Sequence, residues 1–193
     1  MVSPSESYLH DRLLIFRGLY DVDSADALFE TLHDQIEWLH PYYDNADERR
    51  VYIPRLTANY GEASYNYSGL TFTPKPWTPQ LKQLKQNAEA LSGETFNALI
   101  LQQYRDGQDR VNWHSDDDPC VGTNPTIVSF SFGASRDFVF RAKDDKKEKL
   151  HLRIHHGDGV IMRGDLQHTH VHKVPKEATT ETRINLTFRK IVA

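Results

Sequence analysis

The chain is expected to fold as a mainly β protein with flanking helices (α+β), built on a double-sheet jelly roll, or double-stranded β-helix. Three observations predict this. After Phe96, short runs rich in β-branched and aromatic residues recur at close spacing and are separated by turn signals. Before Phe96, two segments carry apolar residues at helical spacing. No internal repeat or low-complexity linker divides the 193 residues. Residues 1–193 are therefore read as a single domain, with 1–95 an N-terminal helical and β extension and 96–193 the jelly-roll core.

The first expected helix runs from Ser24 to Leu39. Leu28, Leu32, Ile36 and Leu39 share one face, Ser24 is placed to cap it, and Pro41 ends it. Arg50 to Trp77 is rich in Tyr, Thr and Pro and reads as short strands and loops. The second helix spans Pro79 to Leu91, with Leu81, Leu84, Ala88 and Leu91 on one face and Ser92-Gly93 as its stop. Strands are then expected at Ala98 to Tyr104, Thr126 to Gly133, Phe138 to Arg141, Leu150 to Ile154, Gly159 to Met162, His168 to Val174 and Arg183 to Ile191. Asp106-Gly107, Ser135-Arg136-Asp137, Asp144-Asp145 and Gly157-Asp158-Gly159 supply turns between them.

Composition narrows the function classes. No stretch is long and apolar enough to span a membrane, and Met1 to His10 lacks the apolar core of a signal peptide. A soluble intracellular protein, cytoplasmic or nuclear and monomeric, is the expectation. Cys120 is the only cysteine, which excludes an internal disulfide or a multi-thiolate zinc site. Any metal must be held by histidine and carboxylate. The net charge of −4 is unevenly spread: residues 1–48 hold eleven Asp/Glu and two Lys/Arg, leaving 21 of the 23 basic and 16 of the 27 acidic residues, a net of +5, for the rest. The later portion is thus mildly basic, which is compatible with phosphate binding.

His114 and Asp116 lie two residues apart. On an extended chain such residues point to the same side. A distant histidine completes a facial triad, which leaves one face of a six-coordinate iron open. Spacing alone does not choose that histidine. His168, His170 and His172 alternate on one expected strand, and His151, His155 and His156 are also available.

Arg183 to Arg189 alternates strictly. Ile184, Leu186 and Phe188 face one side, and Arg183, Asn185, Thr187 and Arg189 the other. A solvent-facing strand has the same pattern, but two arginines flanking an amide and a hydroxyl also make a carboxylate cradle. The arginines are roughly 20 Å apart along the strand, and side chains leaning inward reach both ends of a small dicarboxylate. Together these parts describe an Fe(II)/2-oxoglutarate oxygenase, with O₂ as the oxidant.

From about Ile53 to Val192 the chain resembles the AlkB family of such oxygenases, especially its members that dealkylate nucleic acid. The motifs are Pro54-Arg55-Leu56-Thr57-Ala58-Asn59-Tyr60-Gly61, Trp113-His114-Ser115-Asp116-Asp117-Asp118, Ser129-Phe130-Ser131-Phe132-Gly133-Ala134, His172-Lys173-Val174-Pro175-Lys176, and Arg183 to Arg189. The resemblance implies that His172 is the third metal ligand. It implies that Arg183, assisted by Tyr104, pairs with the far carboxylate of 2-oxoglutarate, and that Asn185, Thr187 and Arg189 complete the cosubstrate site toward the metal. Gln102 stands where the family commonly has asparagine. Residues 60–77 would form a nucleotide-recognition lid. Arg55, Tyr60, Tyr65, Tyr67, Asp117 and Asp118 would contact the substrate, with Tyr67 and His114 enclosing a flipped base and Asp118 at its edge.

The implied reaction is oxidative removal of an alkyl group from a base nitrogen, as in 1-methyladenine or 3-methylcytosine, in single-stranded DNA or RNA. Two other readings compete. One is a related dioxygenase acting on transfer RNA, protein or lipid, against which the tyrosine lid argues. The other is a non-catalytic nucleic-acid binding module, against which the intact triad and both arginines argue.

Overall fold

The computed structural model describes residues 3–62, 65–67 and 70–192, with the side chains of 63–72 outside that description. The chain begins with β1 (Glu6–Tyr8), β2 (Leu13–Phe16) and α1 (Val22–Gln35). Two hairpins surround β5 (Leu56–Gly61): β3 (Tyr42–Asp44) with β4 (Arg50–Tyr52), and β6 (Tyr65–Tyr67) with β7 (Leu70–Phe72). Next come α2 (Pro79–Ser92), β8 (Ala98–Tyr104), β9 (Val111–His114) and a 3₁₀ turn at Pro119–Val121. The remainder is β10 (Ile127–Gly133), β11 (Arg136–Ala142), β12 (Leu150–Ile154), β13 (Gly159–Met162), α3 (Leu166–Thr169), β14 (His170–Val174) and β15 (Arg183–Arg189).

A seven-stranded sheet has the order β1-β2-β13-β10-β15-β8-β5, and a four-stranded sheet the order β12-β11-β14-β9. This is the expected jelly roll. Strands from both sides of residue 95 share the larger sheet, so the division at 95/96 separates sequence segments but not the sheet. Helices α1 and α2 cover one face of the larger sheet. There Ile184, Leu186 and Phe188 pack with Leu32, Leu81, Leu84 and Phe130, all buried. Burying each of those three β15 side chains contributes about 1.5–3 kcal/mol. A slip of one residue would replace them with an arginine, Asn185 and Thr187, so the alternation sets the register. Between the sheets, Leu13, Ile15, Phe140, Leu152, Ile154 and Met162 form a second core. The polar face of β15 lies beside that core.

Several boundaries differ from expectation. Helix α1 begins earlier because Asp21, not Ser24, is the N-cap: the Ser24 backbone N–H donates to Asp21 Oδ1 at 2.8 Å. It also stops at Gln35, before Pro41. Leu39 instead exchanges backbone hydrogen bonds of 2.9 and 2.8 Å with Thr57, so a strand contact outcompetes another helical turn. Helix α2 matches its expectation closely, with Thr78 accepting from the Leu81 N–H and Gly93 closing the end at φ 77°. His168 lies in α3 rather than on a strand, and β14 starts at His170. The run Leu13-Leu14-Ile15-Phe16, not assigned beforehand, is a buried strand between β1 and β13. Among the described residues no helix is long and apolar enough to cross a membrane.

Candidate metal centre and active site

Strands β9 and β14 are antiparallel neighbours, and His114 pairs with His172 in their register. Their rings meet edge-on with centroids 4.3 Å apart. Asp116 sits just beyond the end of β9, in an irregular segment rather than on the strand. Its backbone N–H donates to Gln167 Oε1 at 3.0 Å, and its Oδ1 accepts from Arg189 Nη2 at 2.9 Å. One ligand atom from each of His114, Asp116 and His172 lies within 4.8 Å of the others. Asp116 and His172 are buried, while His114 is half-buried and faces the cavity mouth.

The protonation of this group suits a metal. His114 Nδ1 is 2.9 Å from the Asn112 carbonyl, so Nδ1 must carry the proton and Nε2 is left as the ligand atom. Burial, reinforced by the neighbouring His114, pushes the His172 pKa down from 6.5 to about 3. His172 is therefore neutral at physiological pH, which is the ligating form. Two imidazoles and one carboxylate on one side of a cavity fit a facial Fe(II) site with open positions.

The polar face of β15 lines the inner cavity together with the triad, Gln102, Tyr104 and Ser129. The cavity measures about 50 Å³. Arg183 and Arg189 stand at its two ends, and both are buried. Arg189 holds Asp116, which assigns it to the metal end. Arg183 Nη2 donates to Ser131 Oγ and to Asn185 Oδ1, both at 2.8 Å. Asn185 Nδ2 in turn donates to Thr187 Oγ1 at 2.9 Å, fixing the amide. The Tyr104 ring lies 5.2 Å from the Arg183 guanidinium, and the Tyr104 hydroxyl donates to Gln102 Oε1 at 2.9 Å.

Arg183 Nε and Nη1 are buried and have no hydrogen-bond partner among the described residues. Burial lowers the Arg183 pKa. A buried guanidinium with two idle donors is costly unless an anion completes it. A carboxylate beside Arg183 meets that need, so the residues present fit a dicarboxylate spanning from Arg183 to the triad.

A second, wider cavity opens outward from the triad. It is lined by Tyr43, Val51 and Tyr52 of the β3–β4 hairpin and by Arg55, Arg110 and Trp113, among others. Arg55 is thus at the mouth, its Nη1 donating to the Arg110 carbonyl at 3.2 Å. Tyr60 is not. It is 5% exposed and packs in the helix-side core with Ala58, because period-two alternation along β5 sends it away from Thr57, which lines the mouth. The expected substrate contact at Tyr60 is therefore corrected to a core position.

Asp117 is exposed and paired with Lys143 at 2.7 Å, which holds its carboxyl below the usual range, and it lines neither cavity. Asp118 precedes the turn Pro119–Val121, against which β6 packs, and its side chain makes no capping hydrogen bond. The backbone of Tyr65 and Tyr67 forms β6, but their side chains lie outside the described residues.

Other side chains in the site carried no distinct sequence signal. Gln167 orients Asp116 from α3, and Ser131 supports Arg183 from β10. Arg136, fully buried, donates to the carbonyls of Asp106, Asp109 and Pro175 and lies 5.4 Å from the Tyr104 ring, bracing the far end. Only the fold brings these residues to the site.

A jelly roll carrying a His-Asp-His face and an arginine-bearing strand in one cavity defines a non-haem iron, 2-oxoglutarate-dependent oxygenase. Residues 12–189 match the family model of the 2OG-Fe(II) oxygenase superfamily. The alpha-ketoglutarate-dependent dioxygenase alkB homolog 3 of Homo sapiens is 40% identical over 190 residues, covering 93% of this chain and 66% of its own. The DNA oxidative demethylase ALKBH2 of Homo sapiens is 35% identical over 190 residues, covering 90% of this chain and 71% of its own. The solved structure of OsALKBH1 shares the fold, with a TM-score of 0.68 at 16% identity over 95% of this chain and all of that one. The chain spans just under two thirds of the length of alkB homolog 3 from human and rat. It belongs to the AlkB family of Fe(II)/2-oxoglutarate-dependent dioxygenases, which use Fe(II), 2-oxoglutarate and O₂.

Proposed function

We propose that this protein oxidatively removes alkyl groups from base nitrogens of nucleic acid, with 1-methyladenine and 3-methylcytosine as substrates and single strands preferred. The observation that carries the reading is the joining of two cavities at His114 and Asp116. The inner one has a cation short of acceptors, and the outer one is wide, aromatic and basic. When bound, Fe(II) with 2-oxoglutarate supplies oxidative decarboxylation to succinate and hydroxylation of a nearby C–H bond. The chain's own residues set the conditions for that chemistry.

In this reading His114, Asp116 and His172 hold the metal. Arg183 receives the far carboxylate of 2-oxoglutarate, with Ser131, Asn185 and Tyr104 holding the guanidinium in place and Thr187 fixing Asn185. Gln102 keeps its Oε1 on the Tyr104 hydroxyl and offers its Nε2 donors to the cosubstrate. Arg189 keeps Asp116 in its ligating orientation. The flipped base enters through the outer cavity past Arg55, with Tyr65 and Tyr67 as the lid and Asp118 at the base edge. Enclosure of the base excludes water from the reacting centre. The enzyme acts as a soluble monomer in the cytoplasm or nucleus.

Strand preference follows from the β3–β4 hairpin. Its tip, residues 45–49, holds Asn45, Ala46, Asp47, Glu48 and Arg49, and the Asp47 and Arg49 N–H groups donate to Asn45 Oδ1. This polar tip is a poor wedge for a base stack. Tyr42 is engaged by Arg50 at 3.8 Å and Tyr43 faces the mouth, so neither is at the tip. Extruding a base from a duplex then costs a few kcal/mol with no filler for the gap. The test compares kcat/KM for one 1-methyladenine in single-stranded and fully paired oligonucleotides of the same sequence. A clear excess for the single strand is expected, and equal or better duplex activity overturns the preference.

A further inference from the structure

The outer face of the four-stranded sheet carries a group of residues that the triad and cosubstrate site do not use. His114 and His172 face inward, so alternation sends their neighbours Trp113 and Lys173 outward. Phe140 pairs with His172, so Arg141 on β11 also points outward. The Arg141 guanidinium lies 4.4 Å from the Trp113 ring centroid and the Lys173 ammonium 4.7 Å from it. Arg141 pairs with Val171 and Lys173 with Val139, which makes the two cations a diagonal pair across β11 and β14. Such diagonals are about 7–8 Å apart, comparable to the spacing of successive phosphates along one strand.

Other cations around this face are paired: Lys143, two residues beyond Arg141, lies 2.7 Å from Asp117. Arg153 is neutralised by Asp137 at 3.1 Å and Glu177 at 2.7 Å. Arg141 and Lys173 have no carboxylate within 4 Å among the described residues, and Arg141 Nε is buried without a hydrogen-bond partner. A tryptophan that needed only covering is served by apolar neighbours, whereas here it holds two cations in place. The pair of cations without a carboxylate also meets the site, because Trp113 lines the outer cavity. The acidic side of the molecule lies elsewhere: α1, with Asp23, Asp26, Glu30 and Asp34, packs against β10 and β15 of the larger sheet.

We infer that Arg141 and Lys173, braced by Trp113, form a backbone-phosphate track for the nucleic-acid strand as it leaves the outer cavity. This rests on the dealkylase reading above and extends it from the flipped base to its flanking nucleotides. The contacts are to phosphates, so they add affinity and salt dependence without reading sequence. Each single-strand phosphate contact adds about 0.7 to the slope of log affinity against log salt.

The test measures binding of a fluorescent single-stranded oligodeoxynucleotide carrying one 1-methyladenine to the anaerobic Fe(II)/2-oxoglutarate holoenzyme across a salt series. Arg141→Gln/Lys173→Gln is expected to flatten the slope by about 1.4, and Lys173→Gln alone by about 0.7. Arg141→Lys should restore most of the slope, since a charge and not a shape is required. Lys82→Gln, an exposed charge on α2 behind the larger sheet, is expected to keep the wild-type slope. If the wild type binds with a strong salt slope and the double variant, still taking up 2-oxoglutarate, keeps that slope, the track is overturned and the dealkylase reading stands. If the wild type does not bind the oligonucleotide at all, both fall.

Discussion

Replacing Arg183 with methionine separates a cosubstrate clamp from a structural arginine. The guanidinium is buried, spends Nη2 on Ser131 and Asn185, and keeps Nε and Nη1 without partners among the described residues. A carboxylate placed there gains charge-assisted hydrogen bonds worth about 1.5–3 kcal/mol. At about 1.4 kcal/mol per factor of ten, their loss raises the 2-oxoglutarate Kd roughly 10- to 150-fold. The cosubstrate-free protein responds in the opposite sense. Methionine removes a buried charge that lacks a counter-ion, and Ser131 Oγ can still donate to Asn185 Oδ1 at 3.1 Å. The variant's Tm without cosubstrate should equal or exceed the wild type's. At 100 times the wild-type Kd, 2-oxoglutarate adds about 2.7 kcal/mol to the wild type. It adds only about 0.4 kcal/mol to a variant bound ~100-fold more weakly. Anaerobic calorimetric titration gives the affinity, and thermal melts with and without cosubstrate give the shift. Unchanged affinity, or a clear fall in Tm with affinity intact, refutes the clamp.

His172→Ala should abolish iron binding while His168→Ala and His170→Ala keep it, measured by metal titration; loss at His170 would move the ligand by two residues. The His172 pKa is lower in the fold than in the unfolded chain, so the unfolded state binds the extra proton. Stability of the metal-free protein is therefore full above about pH 6.5 and falls as pH drops toward about 3. His172→Gln should flatten that part of a pH series of denaturant melts, and an unaltered profile contradicts the burial argument. Tyr60→Ala should cost stability on the order of 3–5 kcal/mol, as for large aromatic truncations, while Tyr60→Phe leaves the substrate KM alone; a raised KM in the phenylalanine variant would return Tyr60 to the lid.

Much of the site was legible because alternation is a strong constraint. The Arg183 to Arg189 pattern foretold which face of β15 is apolar, and the structure buries both faces for different reasons. The same rule, applied to Ala58 and Tyr60, points Tyr60 into the core, but a tyrosine in a motif invites a substrate role. The His114/Asp116 spacing picks out a pair that the structure does bring together, but not by strand alternation, since Asp116 lies past the end of β9 and is held by Gln167. The end of α1 was misplaced because Leu39 continued the helical period by chance, and its pairing with Thr57 is a long-range contact. Strand β2 was missed because four consecutive apolar residues carry no period. The supporting roles of Gln167, Ser131 and Arg136 depend on closure of the two sheets, which no local pattern encodes.

The most direct test of the account is a single-turnover reaction with Fe(II), ascorbate, 2-oxoglutarate and a single-stranded oligonucleotide bearing one 1-methyladenine, read by mass spectrometry for both products. The account predicts unmodified adenine and succinate in equal amounts, both lost in His172→Ala. Succinate formed at the same rate without the oligonucleotide, with the methyl group left in place, would contradict it.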